Sequence, residues 1–177
     1  YQPIERELKL TAAVIDVLDT CHHPTTIVTK SAGILRDLDR LAGMAERGLV
    51  QVGISVTTLD SGLSRLMEPR CSSPARRLEA IAALSDAGIP VRVMASPMIP
   101  GLNDNELETI LARAREAGAR AASMMERWWS GVDHCRLASS QVTIASWPCT
   151  VAIRSAVQAA VPWMVTARLA PKEESAC

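Results

Sequence analysis

Residues 49–70 read LVQVGISVTTLDSGLSRLMEPR, and the predicted fold is arranged around this stretch. It begins with an apolar run rich in β-branched side chains, residues 49–54, which is typical of a buried strand. Hydroxyl groups follow at Ser55 and Thr57, and the stretch ends in the charged sequence Glu-Pro-Arg at 68–70. A buried strand with hydroxyls and charges beyond its carboxyl end predicts a ligand site in a parallel α/β fold.

The same local pattern occurs at three predicted helix-to-strand joints. These joints are 46–49 (Glu-Arg-Gly-Leu), 86–89 (Asp-Ala-Gly-Ile) and 116–119 (Glu-Ala-Gly-Ala). Each glycine suits the left-handed position that follows a helix. Three such joints in one direction predict consecutive βα units, and therefore a parallel sheet with right-handed crossovers.

Local signals predict the other elements. The run Thr-Thr-Ile-Val-Thr at 25–29 predicts a strand by its β-propensity. Further strands are predicted at 91–95 and 121–125, each shortly after a helix-to-strand joint. Ser-Pro at 73–74 predicts a helix start, with the serine as N-cap and the proline at the first helical position. The inner face of that helix is predicted to consist of Leu78, Ile81, Ala82 and Leu84 or Ser85. Asn103 with Glu106 three residues later resembles a capping box.

Composition excludes several classes of protein. Lys and Arg together number 19, as do Asp and Glu, so no basic surplus supports nucleic-acid binding. The sequence contains no run of about 18 apolar residues, so we expect no membrane-spanning helix. The five cysteines are odd in number, and no two lie within four residues of each other, which argues against a zinc knuckle and a secreted disulfide framework. We therefore expect a cytoplasmic protein with reduced thiols.

The polar residues at the strand ends are candidate ligand contacts, although each has a plainer interpretation. Lys30 follows a strand and would bind a carboxylate or phosphate, or would simply be solvated. Ser55 and Thr57 alternate along the chain and so share one side of the strand, where they would contact a ligand or bond to nearby backbone.

Two further segments are candidate ligand contacts that also have a plainer interpretation. Glu68 and Arg70 would either form a surface ion pair or be held by Pro69 so that Arg70 grips a ligand carboxylate. The segment 99–101 (Ile-Pro-Gly) would either be an ordinary loop or let the backbone come close to a flat ring, because glycine has no Cβ.

Several motifs together resemble the radical S-adenosylmethionine (SAM) superfamily, in particular the bacterial group related to spore photoproduct lyase. They are TIVTKS (26–31), ISVTTLD (54–60) with MEPR (67–70), SPARRLEAIAALSDAGIP (73–90), SPMIPGLNDNELE (96–108) and the opening YQPIE. The resemblance covers residues 1–122. It implies an α/β fold, a partial (β/α)6 TIM-like barrel with parallel strands that is incomplete at both ends.

The resemblance also implies cofactors and roles. In the family, a [4Fe-4S] cluster binds SAM and cleaves it reductively to a 5′-deoxyadenosyl radical. The residues implied to bind or border SAM are Lys30, Ser55, Thr57, Glu68, Arg70, Ile99 and Gly101. Among them, Arg70 matches a position near the SAM carboxylate and Ile99 one that lies against adenine. Lyase-like chemistry such as nucleic-acid lesion repair is implied by analogy alone.

The sequence departs from the family in two places. The cluster motif C-x3-C-x2-C is missing, and neither Cys21 nor Cys71 has its spacing, so we do not expect this chain to assemble the cluster. All four tryptophans but only 3 of the 19 acidic residues lie beyond residue 126. We therefore expect a partial radical SAM core at 1–122 and an atypical tail at 123–177, either frameshifted or poorly ordered.

The sequence thus predicts a fragment of a radical SAM enzyme that is inactive alone. Two alternatives remain open. One is a cluster-free (β/α) enzyme that binds a phosphate or carboxylate substrate, and the other is a non-catalytic fragment. The substrate and the oligomeric state are not predicted, and nucleic acid is a partner by family analogy only.

Overall fold

The computed structural model describes residues 1–126 and 138–143. Its α-helices are α1 (Glu5–Leu8), α2 (Leu10–Thr20), α3 (Leu38–Glu46), α4 (Ser61–Met67), α5 (Pro74–Asp86) and α6 (Leu107–Glu116). Short 3₁₀ helices span Ala32–Asp37 and Asp104–Glu106. The strands are β1 (Thr25–Thr29), β2 (Val50–Ser55), β3 (Val91–Met98), β4 (Ala121–Glu126) and β5 (Ala138–Thr143).

The five strands form one sheet in chain order. Strands β1 to β4 pair in parallel, and β5 pairs antiparallel with β4. In-register partners across the first three strands include Val28 with Gly53 and Gly53 with Arg92. The predicted parallel α/β fold is therefore confirmed, with four parallel strands alternating with helices.

One face of this sheet is covered by helices. Parallel neighbours in chain order with right-handed crossovers place all their helices on the same side. That side is the core, where the strand residues Val52, Ile54, Val91, Val93 and Ala95 and the helix residues Leu41, Met44, Ile81, Leu84, Ile110 and Ala114 are buried. On the other face Val28 remains 56% exposed. Among the described residues the helices lie on the core side, and we call the opposite face the open face, although Gly53, Ser55 and Ala121 on it are also buried.

The predicted helix ends are present. Ser73 Oγ accepts a hydrogen bond from the Arg76 amide at the start of α5, and Pro74 is the first residue of that helix. The three joint glycines, Gly48, Gly88 and Gly118, have φ values of 70°, 77° and 93°. The αβ joints thus take the left-handed conformation that the sequence predicts.

Most of the predicted tail lies outside the described residues. Of 123–177, the structure describes only 123–126 and 138–143, so the proposed boundary near residue 122 stays a prediction. Within the described part of the chain, no helix is long and apolar enough to cross a membrane.

Gly118 provides a test of the packing between α5 and the joint that connects α6 to β4. A Cβ at Gly118 would lie 2.3 Å from Ser85 Oγ, whereas a Cβ at Gly48 would meet nothing within 4 Å. Both residues have positive φ, so Gly48→Ala is expected to cost about 1–2 kcal/mol from the backbone alone. Gly118→Ala should cost clearly more in urea unfolding, because the new methyl group also displaces the Ser85 hydroxyl.

The double variant Ser85→Ala/Gly118→Ala separates the two terms. It should recover part of the excess loss, since the Cβ of residue 85 would remain close at 2.7 Å. Equal losses in Gly48→Ala and Gly118→Ala would contradict the described packing.

Candidate functional site

Glu68 lies between two cations at the carboxyl edge of the sheet. Its Oε1 accepts from Lys30 Nζ at 2.5 Å, and its Oε2 accepts from Arg77 Nη2 at 2.5 Å. The side chain of Glu68 is 8% exposed, that of Arg77 is 1% exposed and that of Lys30 is 38% exposed. We call these three residues the Glu68 bridge. It connects the end of β1, the segment after α4 and the buried face of α5.

Arg77 also holds the end of β2. Its Nη1 donates to the Ser55 carbonyl at 3.0 Å, and its Nε donates to the Ser72 carbonyl at 2.7 Å. A buried guanidinium is stable only when it is paired and hydrogen-bonded, and the three groups supply both conditions. The Glu68 bridge therefore fixes Ser55 relative to Lys30, although the two residues lie on different strands.

The charge state of Glu68 follows from this environment. Burial by itself raises the pKa of Glu68, but the hydrogen bonds and charges of Lys30 and Arg77 outweigh it. The net result is a pKa below the ordinary value of 4.5. Glu68 is thus held as a carboxylate at neutral pH, and it orients the two cations rather than exchanging protons.

The two predicted hydroxyls differ in their surroundings. Ser55 Oγ donates to the Ser96 carbonyl at 3.3 Å, which connects the ends of β2 and β3. Thr57 is fully buried, and its Oγ1 has no hydrogen-bond partner among residues 1–126 and 138–143. An unpaired buried hydroxyl is costly, and such groups are commonly satisfied by an ordered water or a ligand.

Asn103 holds the loop after β3 against the loop after β2. Its Nδ2 donates to the carbonyls of Thr57 at 2.7 Å and Pro97 at 3.1 Å, while its Oδ1 accepts from the Ile99 amide at 2.7 Å. The predicted capping box is therefore wrong, because Asn103 makes no side-chain cap bond. The side-chain amide of Asn103 bonds instead to the backbone of Thr57, Pro97 and Ile99.

Glu106, the other half of the predicted box, also reaches across to the β2 loop. It accepts from the Thr58 hydroxyl at 2.7 Å and from the Leu59 amide at 2.6 Å. The loops after β2 and β3 are thus joined by two side chains, Asn103 and Glu106.

The remaining predicted site residues lie nearer the surface. Ile99 is half-buried, and Gly101 is exposed with a φ of 76° and donates its amide to Asp104 Oδ1 at 2.8 Å. Arg70 is exposed in the turn before α5 and makes no hydrogen bond or ion pair among the described residues. The suggested pair between Glu68 and Arg70 does not form, since both Glu68 oxygens bind other cations.

Sequence reasoning missed Arg77 as a positioning residue. The predicted inner face of α5 is correct at Ile81 and Leu84, but Leu78 and Ala82 are only half-buried. The buried positions run through Pro74, Arg77 and Ile81 instead, at spacings of three and four. The sequence did carry a signal: Arg77 lies four residues before Ile81 and so on the same apolar helix face. A charged residue on such a face requires a buried partner.

The described residues hold no group of three or more His, Cys, Asp or Glu that could bind a metal ion. Cys21 and Cys71 are free and exposed. Among these residues, therefore, no set of thiolates fits a [4Fe-4S] cluster, which needs several cysteine ligands.

The chain matches known proteins over most of its described length. The family model described as the radical SAM superfamily matches residues 5–114. An uncharacterized protein of Mycobacterium tuberculosis, Rv2578c, is 32% identical over 126 residues, which is 70% of this chain and 37% of that protein. The uncharacterized protein MJ0683 of Methanocaldococcus jannaschii is 32% identical over 106 residues, 60% of this chain and 39% of that protein.

A solved structure is similar at the level of the fold. The crystal structure of Streptococcus suis SuiB matches with a TM-score of 0.53 and 16% identity, covering 90% of this chain and 34% of that chain. A second structure is of SuiB bound to S-adenosylmethionine and matches equally well. The chain spans less than two fifths of the length of each of these relatives and structures.

Arg77→Met should destabilise the fold by about 3–5 kcal/mol, because it leaves the buried Glu68 carboxylate with one cation and two carbonyls without a donor. Arg76→Met is the matched control. The Arg76 side chain is 68% exposed, and its one ion pair with a described residue is to the exposed Glu79, so this variant should change stability by less than about 0.5 kcal/mol. Urea unfolding of both variants measures the difference, and similar small losses would contradict the buried role of Arg77.

The lowered pKa of Glu68 predicts a pH-dependent part of stability. A depressed pKa contributes stability that is complete above the unfolded value, near 4.5, and is lost as pH falls through the folded value. The gap in unfolding free energy between the wild type and Glu68→Gln should therefore shrink as pH falls below 4.5. Glu79→Gln is the control, because the Glu79 side chain is 67% exposed. Its difference in unfolding free energy from the wild type should stay almost constant with pH. A pH-independent gap for Glu68→Gln would be the contrary result.

Proposed function

This chain belongs to the radical SAM superfamily, and on that premise we propose that its carboxyl sheet edge binds S-adenosylmethionine as part of an iron–sulfur enzyme. One observation carries the proposal. Lys30, Thr57 and Ile99 follow three neighbouring parallel strands, β1, β2 and β3, so they share the edge at which such folds bind ligands. The SuiB structure bound to SAM supports the ligand for a protein of similar fold.

The chemistry of these groups suits the parts of SAM. The ammonium of Lys30 can pair with the carboxylate of the methionine portion of SAM. Among the described residues it donates to Glu68 alone, so it has further N–H groups to donate. The unpaired hydroxyl of Thr57 supplies a hydrogen bond to a polar group of the ligand. Ile99 is half-buried next to the turn at Gly101, and together they offer an apolar surface for adenine.

The chain's own contribution is to position these groups. Glu68 holds the Lys30 ammonium at a defined place, and Arg77 keeps Glu68 ionised while fixing the end of β2. Asn103 sets the backbone of Ile99 against that of Thr57. In the family, bound SAM supplies a 5′-deoxyadenosyl radical that abstracts hydrogen from a substrate. The contacts of Glu68, Arg77 and Asn103 hold the binding groups in place before SAM arrives, and such preorganisation reduces the ordering cost of binding.

The cluster is a different case, because the described residues do not fit it. We therefore attribute no step of a reaction to an iron–sulfur centre held by them. Exposed Arg70 is assigned to the SAM carboxylate in this proposal, as the resemblance implies. Ser55 is assigned to the ribose side, although its hydroxyl also serves the Ser96 carbonyl.

The closer relation to spore photoproduct lyase, lyase-like repair chemistry, a nucleic-acid partner and a cytoplasmic location rest on sequence reasoning alone. The same holds for the cluster-free enzyme and the non-catalytic fragment. The relatives are uncharacterized proteins and supply no substrate.

The neighbouring threonines Thr57 and Thr58 give a sharp test of SAM binding. Thr57→Val removes a buried hydroxyl without a partner, so it should leave the free chain as stable as before or more stable. The same variant should weaken SAM binding by about threefold to tenfold, because a net hydrogen bond is worth about 0.5–1.5 kcal/mol. Isothermal titration with SAM and urea unfolding measure the two effects.

Thr58→Val is the matched control. Thr58 Oγ1 donates to Glu106, so its loss should destabilise the chain by about 1 kcal/mol while SAM affinity changes less. Lys30→Met should weaken SAM binding by tenfold or more, since a hydrogen bond to a charged group is worth about 1.5–3 kcal/mol. The proposal fails if the chain shows no saturable SAM binding, or if Thr57→Val affects folding but not affinity.

A further inference from the structure

The open face of the sheet carries an arginine at a level below the strand ends. Val28, Gly53, Arg92 and Ala121 are in-register partners on β1 to β4, and so they form one row across the sheet. A Cβ at Gly53 would meet Met94 Sδ at 3.1 Å and Val28 Cγ2 at 3.3 Å, which places Val28 and Met94 on the same face as Gly53. The row lies opposite the helix-covered core residues Val91 and Val93.

Arg92 is flanked by the smallest side chains of this row. Its in-register neighbours are Gly53 and Ala121, and neither of them carries a hydrogen-bonding side chain that could pair with the guanidinium. Ser55 is in register with Met94, two residues beyond Arg92. Two strand residues span about 6.6 Å, so Arg92 lies one side-chain level below Ser55 on the open face.

Two buried polar atoms on this face have no partner. Arg92 Nε and Ser123 Oγ are both buried and make no hydrogen bond within the part of the chain that the structure describes. Ser123 is in register with Met94, so it lies diagonally across from Arg92 on the neighbouring strand. Such a diagonal pair is about 7–8 Å apart at Cα, which the length of an arginine side chain can span.

The charge of Arg92 separates it from the other partly buried cations. Lys30 and Arg77 share Glu68. For Arg92, the described residues provide no carboxylate. A guanidinium with a buried, unpaired Nε–H lacks the counter-charge and hydrogen-bond acceptor that burial requires.

We propose that Arg92 and Ser123 form an oxyanion subsite on the open face of the sheet, which binds a carboxylate or phosphate group of the substrate. Arginine presents its Nε–H and a neighbouring Nη–H as a fork that matches two oxygens of either group, and the serine hydroxyl donates a further bond. The subsite rests on the proposed function for the identity of its ligand as the substrate. Its place one level below Ser55 puts an anchored anionic substrate beneath the proposed SAM edge.

The test uses the full chain and two small anions, inorganic phosphate and acetate. The Nε–Hε resonance of Arg92, assigned by its loss in Arg92→Gln, is followed by ¹⁵N NMR during titration. We expect a saturable shift of this resonance, and the anion that binds more tightly identifies the group. Overall affinity, measured by shifts of the amides of β3 and β4, should fall at least tenfold in Arg92→Gln and severalfold in Ser123→Ala.

Arg120→Gln is the charge-matched control, because Arg120 is exposed and comes directly before β4. It should leave anion affinity within about twofold, and urea unfolding should show all three variants folded. An unchanged Arg92 resonance, or an equal loss of affinity in Arg120→Gln, would overturn the subsite. Arg92→Lys should recover part of the affinity, since it keeps the charge but lacks the planar fork.

Competition with SAM separates this subsite from the SAM site. Bound SAM should leave the anion titration of Arg92 in place, whereas competitive displacement by SAM would assign Arg92 to the SAM site and overturn the proposal. If SAM does not bind but phosphate or acetate still shifts Arg92, the oxyanion subsite stands and the proposed function fails. The two proposals therefore fail in different experiments.

Discussion

The buried carboxylate of Glu68 is the constraint on which the candidate site depends. It faces Lys30 with one oxygen and Arg77 with the other, each at 2.5 Å. Removal of either cation leaves charge imperfectly balanced in a region where Glu68 is 8% exposed. Through Arg77 the same carboxylate is joined to the Ser55 carbonyl, and through Ser55 to Ser96. The ends of three strands are thus held by one connected set of polar contacts.

The topology explains why these contacts lie at the same edge. Four parallel strands in chain order direct their carboxyl ends to one side, and right-handed crossovers place the helices on one face. The covered face forms the core, whereas the open face carries Arg92 and Ser123. Two kinds of polar group are therefore separated in space. The SAM proposal concerns the edge, and the oxyanion proposal concerns the open face below it.

Much of the fold could be predicted from the sequence because its signals are local. The β1 range of residues 25–29, the Ser73-Pro74 helix start and the glycine joints follow from propensity, capping and φ. The contacts within the site are less local. Arg77 reaches Ser55 across 22 positions, and Asn103 reaches Thr57 across 46. The spacing of Asn103 and Glu106 predicted a capping box, but both side chains bond instead to the loop after β2.

In the proposed function, Lys30, Thr57 and Ile99 contact one SAM molecule. Backbone amide NMR of the ¹⁵N-labelled chain, titrated with SAM, tests it most directly. We expect saturable shifts with a single dissociation constant for amides in 29–32, 55–59 and 97–102, the segments at the carboxyl ends of β1, β2 and β3. Shifts confined to one of these segments, or located on α2 and α3 instead, would contradict it.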